Sequence, residues 1–233
     1  MLYDCRSVAD RDRGIAAAIE AVKNGELVVL PTDTVYGVGA DAFTPYAVTA
    51  LRDAKGHEPQ APPPVLVGSR HTLDGLVFML PKLARDLADA FWPGALTIIV
   101  EHAPSLQWDL GETGGTVAVR MPLHPVALEV LRETGPMAVS SANKLGQPAA
   151  KTAEEAREQL GYAVRIYLEA GESVDPAPST IVDLTTDVPR VLRAGAIPLE
   201  KIRDVVPEIV GPDGGDRRSE APSADQQSPD AES

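Results

Sequence analysis

A chain of 233 residues can bury a sizeable core, and with only 4% aromatic residues that core must be built from Val, Leu, Ile and Ala. One cysteine excludes an intramolecular disulfide and a cysteine-rich zinc site, and no apolar run reaches the roughly 20 residues of a membrane span. The formal charge of −13 argues against a broad nucleic-acid surface, so a bound anion must be met by individual Arg and Lys residues in a small pocket.

The N-terminal MLYDCR lacks the basic-then-apolar pattern of a secretory signal, and a cytoplasmic protein without a membrane segment is expected. Ile15, Ala18, Ile19 and Val22 share one helical face, which Asn24-Gly25 ends. The apolar run 27–30 reads as a short buried strand. It is followed by PTDTVYGVG at 31–39, a polar loop punctuated by glycine. A helix is predicted over 47–54, an extended segment at 65–67, and a helix from Pro81 to about Phe91. Strands follow at 96–100 and 116–121. Pro125 opens a helix to Glu133, and 137–141 is again a strand. Thr152 and Glu155 have capping-box spacing for a helix ending near Leu160. Strands at 164–168, 180–184 and 190–192 and a helix from Pro198 complete the pattern.

Two neighbouring strand pairs, 96–100 with 116–121 and 180–184 with 190–192, have no helix between them. This favours a mixed sheet flanked by helices, one α/β domain over 1–210. From Gly211 onward there is no Val, Leu, Ile, Met or aromatic residue, and six acids face two arginines, so 211–233 is expected to be a disordered acidic tail.

Phosphate-loop and dinucleotide signatures are absent, no GxSxG elbow occurs, and His57, His71, His102 and His124 lack ligand-like spacing. The glycine-rich 111–115 precedes a strand and reads as a mobile turn, and Cys5 reads as inert. What remains is a set of polar residues at strand ends. Arg52 and Lys55 close a helix, while Thr116 and Arg120 lie four apart on one strand face. SSAN at 140–143 ends a strand, Ser179-Thr180 opens one, and Arg193 closes another. Hydroxyls, an amide and several fixed cations suit a polyphosphate together with a small zwitterion.

On these residues the chain resembles the YrdC-type L-threonylcarbamoyladenylate synthases. The matching elements stand in family order: PTDTVYGVG at 31–39, Lys-Gly at 55–56, FWPGALT at 91–97, GTVAVRMP at 115–122, SSAN at 140–143, STIVD at 179–183 and VLRAG at 191–195. The resemblance implies a YrdC-like twisted, open mixed sheet flanked by helices around a large concave cavity. It implies that threonine, bicarbonate and ATP with Mg2+ give threonylcarbamoyl-AMP and pyrophosphate. The product would pass to a separate transferase modifying tRNA adenosine beside the anticodon, with at most weak tRNA contact by this chain.

The same resemblance implies residue roles. Thr32, Thr34 and Tyr36 would line the threonine pocket with Ser140 and Thr180, and Arg120 would pair with the threonine carboxylate. Lys55 and His57 would face the triphosphate, Thr116, Ser140, Ser141 and Asn143 would hold nucleotide and substrate hydroxyls, and Ser179, Thr180 and Arg193 would close over the nucleotide. Lys55, Arg120 and Arg193 would supply the catalytic charge, with no metal ligated by the protein. The family usually reads Lys-x-Arg where this chain has Lys55-Gly56-His57, so His57→Arg is expected to raise catalytic efficiency. Two alternatives stand beside the synthase: a paralogue of the same fold with weak or different adenylation or carbamoylation activity, and a non-catalytic RNA-binding module.

Overall fold

The computed structural model describes residues 1–56, 61–173 and 177–212. His57 and the expected tail from 213 onward lie outside them. The elements in chain order are β1 (Leu2–Asp4), α1 (Val8–Lys23), β2 (Val28–Leu30), β3 (Gly37–Asp41), α2 (Pro45–Lys55), β4 (Val65–Leu66), α3 (His71–Leu76), α4 (Lys82–Phe91) and β5 (Leu96–Glu101). They continue with β6 (Thr116–Arg120), α5 (Pro125–Thr134), β7 (Met137–Ser141), α6 (Ala153–Leu160), β8 (Ile166–Glu169), β9 (Thr180–Asp183), β10 (Arg190–Arg193) and α7 (Leu199–Arg203).

The strands form one mixed sheet in the order β1-β8-β2-β3-β7-β4-β6-β5-β9-β10. The two strand pairs that lack an intervening helix, β5 with β6 and β9 with β10, are antiparallel neighbours, as a short connection requires.

Strand alternation sorts the core into two layers. Val28 and Leu30 of β2, Met137 and Val139 of β7, and Ile166 and Leu168 of β8 pack on one face against Ile15, Ala18 and Val22 of α1 and Val126, Val130 and Leu131 of α5. Val29, Val38, Ala138 and Tyr167 point to the other face, where Val48 and Leu51 of α2 and Ala153, Ala156 and Leu160 of α6 cover them. On that second face Leu87 and Ala88 of α4 extend the layer over Leu96, Ile98, Val117 and Val119.

The first face is covered by helices along only part of the sheet. Register carries it across from Leu66 to Arg120, then through the pairs Ile99↔Ala118 and Glu101↔Thr116, and from Thr97 to Ile181. Over β6, β5 and β9 this face bears Thr116, Ala118, Arg120, Thr97, Ile99 and Ile181, which line an open concavity instead of meeting a helix.

The loop predicted over 31–39 ends earlier than expected, because Gly37 and Gly39 belong to β3, antiparallel to β2 and β7. A Cβ at Gly37 or Gly39 would stand 2.6 or 2.9 Å from the Val139 side chain. These glycines therefore serve close strand packing, a demand that sequence punctuation cannot distinguish from a turn. Thr152 caps α6 by accepting from the Glu155 amide at 3.1 Å, while Glu155 turns to the Lys151 amide at 2.8 Å, so the box is half closed. The three-residue β1 and six-residue α3 are too short to leave a periodic signal, and α3 contains Gly75. Cys5 is buried, and desolvation raises its thiol pKa to about 11, which makes it unreactive.

Candidate functional site

Two adjoining cavities occupy the open part of the sheet face, of about 640 and 380 Å³. Pro64, Thr97, Ser140, Ser141, Ser179 and Arg193 line both and form the junction between them.

The smaller cavity is built on the turn after β2. Thr32 Oγ1 donates to the Val35 carbonyl at 2.7 Å and accepts from the Thr34 amide at 3.1 Å. Its proton being used there, Thr34 is the donor in the 3.1 Å contact between the two hydroxyls. Arg120, at the end of β6 and 6% exposed, reaches into this turn. Nη1 donates to Thr34 Oγ1 at 2.9 Å, Nη2 to Asp33 Oδ1 at 2.7 Å and Nε to the Gly94 carbonyl at 3.0 Å. Three of five guanidinium protons are thereby fixed and two remain for a ligand. Burial lowers the Arg120 pKa and Asp33 opposes that shift.

Tyr36 lines the same cavity, but its hydroxyl is turned away from it. It donates to the Gly171 carbonyl at 2.7 Å and accepts from the Ala170 amide at 3.0 Å, beside buried Glu169. Thr180 lies outside both cavities: Oγ1 donates to the Ile197 carbonyl and accepts from the amides of Gly195 and Ile197. Its hydroxyl shapes the turn after β10, and the structure does not bring Thr180 to either cavity with the other expected threonine-contact residues.

Lys55, Thr116, Asn143 and Leu145 line the larger cavity with the junction residues. Lys55 ends α2, is 6% exposed, and donates to the carbonyls of Ser141 at 2.6 Å and Asn143 at 2.9 Å. These neutral acceptors do not offset desolvation, and burial lowers the ammonium pKa to about 8. Asn143 braces the turn after β7 by donating to the carbonyls of Lys144 and Gln147. The Ser140 hydroxyl has no hydrogen-bond partner among the described residues.

Arg193 anchors three protons on Ser179: Nε and Nη2 donate to its carbonyl at 3.0 and 2.9 Å, and Nη2 also to Oγ at 3.0 Å. Its pKa too is lowered by burial. Neither Lys55 nor Arg193 has a carboxylate partner among the described residues, and both line the larger cavity, although Lys55 Nζ also lies 3.4 and 3.5 Å from Ser141 Oγ and Asn143 Oδ1. Glu112 is the one described carboxylate lining either cavity, and no cluster of three or more His, Cys, Asp or Glu among the described residues is placed to hold a metal ion. No described helix is long and apolar enough to cross a membrane.

The structure thus gathers Thr32, Thr34, Arg120, Ser140, Ser141, Lys55, Thr116, Asn143, Ser179 and Arg193 around one concavity. Sequence reasoning missed Asp33 as the partner of Arg120, Thr97 at the junction, and Glu112. Thr97 carried a signal: it is the one polar residue among Leu96, Ile98 and Val100, on the opposite phase of the strand.

The Sua5/YciO/YrdC family model, described as "Telomere recombination", matches residues 20–195. A provisionally named threonylcarbamoyl-AMP synthase of Mycobacterium tuberculosis is 59% identical over 204 residues, covering 88% of this chain and 94% of that protein. The threonylcarbamoyl-AMP synthase of Bacillus subtilis is 36% identical, covering 87% of this chain and 59% of its own length. The crystal structure of Pyrococcus abyssi Sua5 complexed with L-threonine superposes with a TM-score of 0.82 at 33% identity, covering 91% of this chain and 62% of that one. This chain therefore spans about three fifths of those two longer relatives. With the model matched over most of its length and its fold shared with Sua5, the chain belongs to the Sua5/YciO/YrdC family.

Proposed function

We propose that this protein is a threonylcarbamoyl-AMP synthase acting on L-threonine, bicarbonate and ATP. The observation that carries the reading is the pair of cavities with a shared junction. The smaller holds hydroxyls and a fixed guanidinium suited to a zwitterionic amino acid, and the larger holds cations without carboxylate partners, suited to a nucleotide. The names of the relatives favour this reading over a paralogue of different activity or an RNA-binding module.

In the proposed reaction the threonine amine and bicarbonate condense to a carbamate with loss of water. A carbamate oxygen then forms a bond to the α-phosphorus of ATP as the bond to pyrophosphate breaks. The remaining Arg120 protons would take the threonine carboxylate, and Lys55 and Arg193 would stabilise charge on the phosphates. Positioning and electrostatics supply the catalysis, and no side-chain nucleophile is required. Magnesium would enter with ATP and neutralise the leaving pyrophosphate, and a single nearby carboxylate, Glu112, fits an ion that keeps most of its ligands from phosphate and water. The product would pass to a separate tRNA threonylcarbamoyl transferase.

The test is pyrophosphate release from ATP and magnesium with threonine and bicarbonate each supplied or withheld. Release that needs both is expected. Release indifferent to either would assign another activity to the site.

A further inference from the structure

The junction contains a buried hydroxyl pair that the reaction scheme leaves without a role. Thr97 Oγ1 and Ser179 Oγ lie 2.8 Å apart, with the residues 2% and 6% exposed, and Ser179 Oγ also accepts from Arg193 Nη2 at 3.0 Å. Thr97 lines both cavities and stands on β5, whose register with β9 is fixed through Thr97↔Ile181. We propose that Thr97 is a positioning residue for adenylation, holding Ser179 and through it Arg193 at the point where the two substrates meet.

Two hydroxyls bring two protons, and one is shared between them. Neither oxygen donates to another protein group among the described residues, so one O–H is left to point into the junction. Ser179 Oγ already accepts from Arg193, and Arg193 spends Nε and both Nη2 protons on Ser179. The two Nη1 protons have no partner among the described residues. The cluster therefore presents one hydroxyl and one fixed N–H pair to a ligand lying across both cavities. Serine alone would not hold this arrangement, because its χ1 has three accessible wells. A β-branched threonine in the middle of a strand is stiff at χ1 and supplies a fixed reference for the serine oxygen. Thr97, the last residue of the FWPGALT element, thus bears through Ser179 on the direction of the Arg193 fork.

This inference rests on the synthase reading above, and the test separates the two. Steady-state pyrophosphate release is measured for the full chain and for Thr97→Val, Thr97→Ser, Ser179→Ala and the Thr97→Val/Ser179→Ala double variant. Valine keeps the shape and β-branch while removing the hydroxyl. Thr97→Val is expected to lose about tenfold in kcat, as for loss of one buried hydrogen bond in the transition state, with KM for threonine and ATP nearly unchanged. Thr97→Ser, which keeps the hydroxyl but loses the β-branch, should recover only part of that loss. The double variant should be no worse than Ser179→Ala, because residues acting as a unit are not additive. A Thr97→Val variant with wild-type kcat, a loss confined to KM, or additive losses in the double variant would overturn the positioning role while leaving the synthase reading intact. Absence of threonine- and bicarbonate-dependent release in the unmodified protein would overturn the synthase reading and this inference with it.

Discussion

Asp33 and Arg120 meet through Oδ1 and Nη2 at 2.7 Å, with side chains 15% and 8% exposed, and the same Oδ1 accepts from the Leu123 amide at 2.8 Å. The pair joins the turn after β2 to the end of β6, beside the smaller cavity that Arg120 lines. Removing the carboxylate leaves a buried guanidinium without a counter-charge. Asp33→Ala is expected to lower stability by about 3 kcal/mol and to weaken threonine dependence, because the orientation of Arg120 is lost. Asp33→Asn, which still accepts from Leu123, should lie between. Chemical denaturation beside threonine titration measures both effects, and an Asp33→Ala protein of wild-type stability would contradict the pairing.

Lys55 predicts a pH dependence. Burial lowers its pKa from the ordinary 10.5 to about 8. Between those values the unfolded chain retains a proton that the folded chain has released, so the contribution of Lys55 to stability rises with pH through this window. Nucleotide binding should run the other way. The neutral amine cannot attract phosphate, so KM for ATP should increase above about pH 8. Lys55→Met should raise KM at neutral pH and abolish this step. A KM for ATP that stays flat to pH 9.5 in the wild type would show that Lys55 does not meet the phosphates.

Tyr36 separates position from role. Its hydroxyl bonds the backbone of Ala170 and Gly171 and does not face the cavity. Tyr36→Phe is expected to cost about 1–2 kcal/mol of stability, from a part-buried amide and carbonyl that lose their partner, while KM for threonine stays near the wild-type value. A large rise in that KM with little loss of stability would instead place the phenol on the substrate.

Gly195 is limited by close approach. A Cβ there would lie 2.2 Å from the Pro178 carbonyl oxygen and 2.6 Å from Ser179 backbone atoms. Backbone must move to admit it, and the displaced Ser179 carbonyl is the anchor of Arg193. Gly195→Ala should therefore lower both Tm and kcat/KM, the latter by about tenfold or more. A fully active Gly195→Ala protein would mean that the Arg193 anchor tolerates displacement.

The sequence by itself determined the alternation of helices and strands, the mixed sheet, and most strand-end residues of the site. Apolar periodicity along 15–22, 27–30, 96–100 and 137–141 is a local signal, and strand termini bearing hydroxyls and cations are visible without coordinates. Tertiary structure decided which of those groups face the same space. Thr180 and Tyr36 carry the residue types that a binding site needs, but backbone amides more than a hundred residues from Tyr36, and the turn after β10 for Thr180, claim their oxygens first. Gly37 and Gly39 look like turn punctuation until Val139 is placed against them. Thr97 becomes a junction residue only because β9 pairs beside β5 and brings Ser179 within 2.8 Å. The division has one physical cause. Periodicity and propensity act over a few residues of chain, whereas hydrogen-bond satisfaction and cavity formation are settled between strands whose pairing spans more than eighty positions.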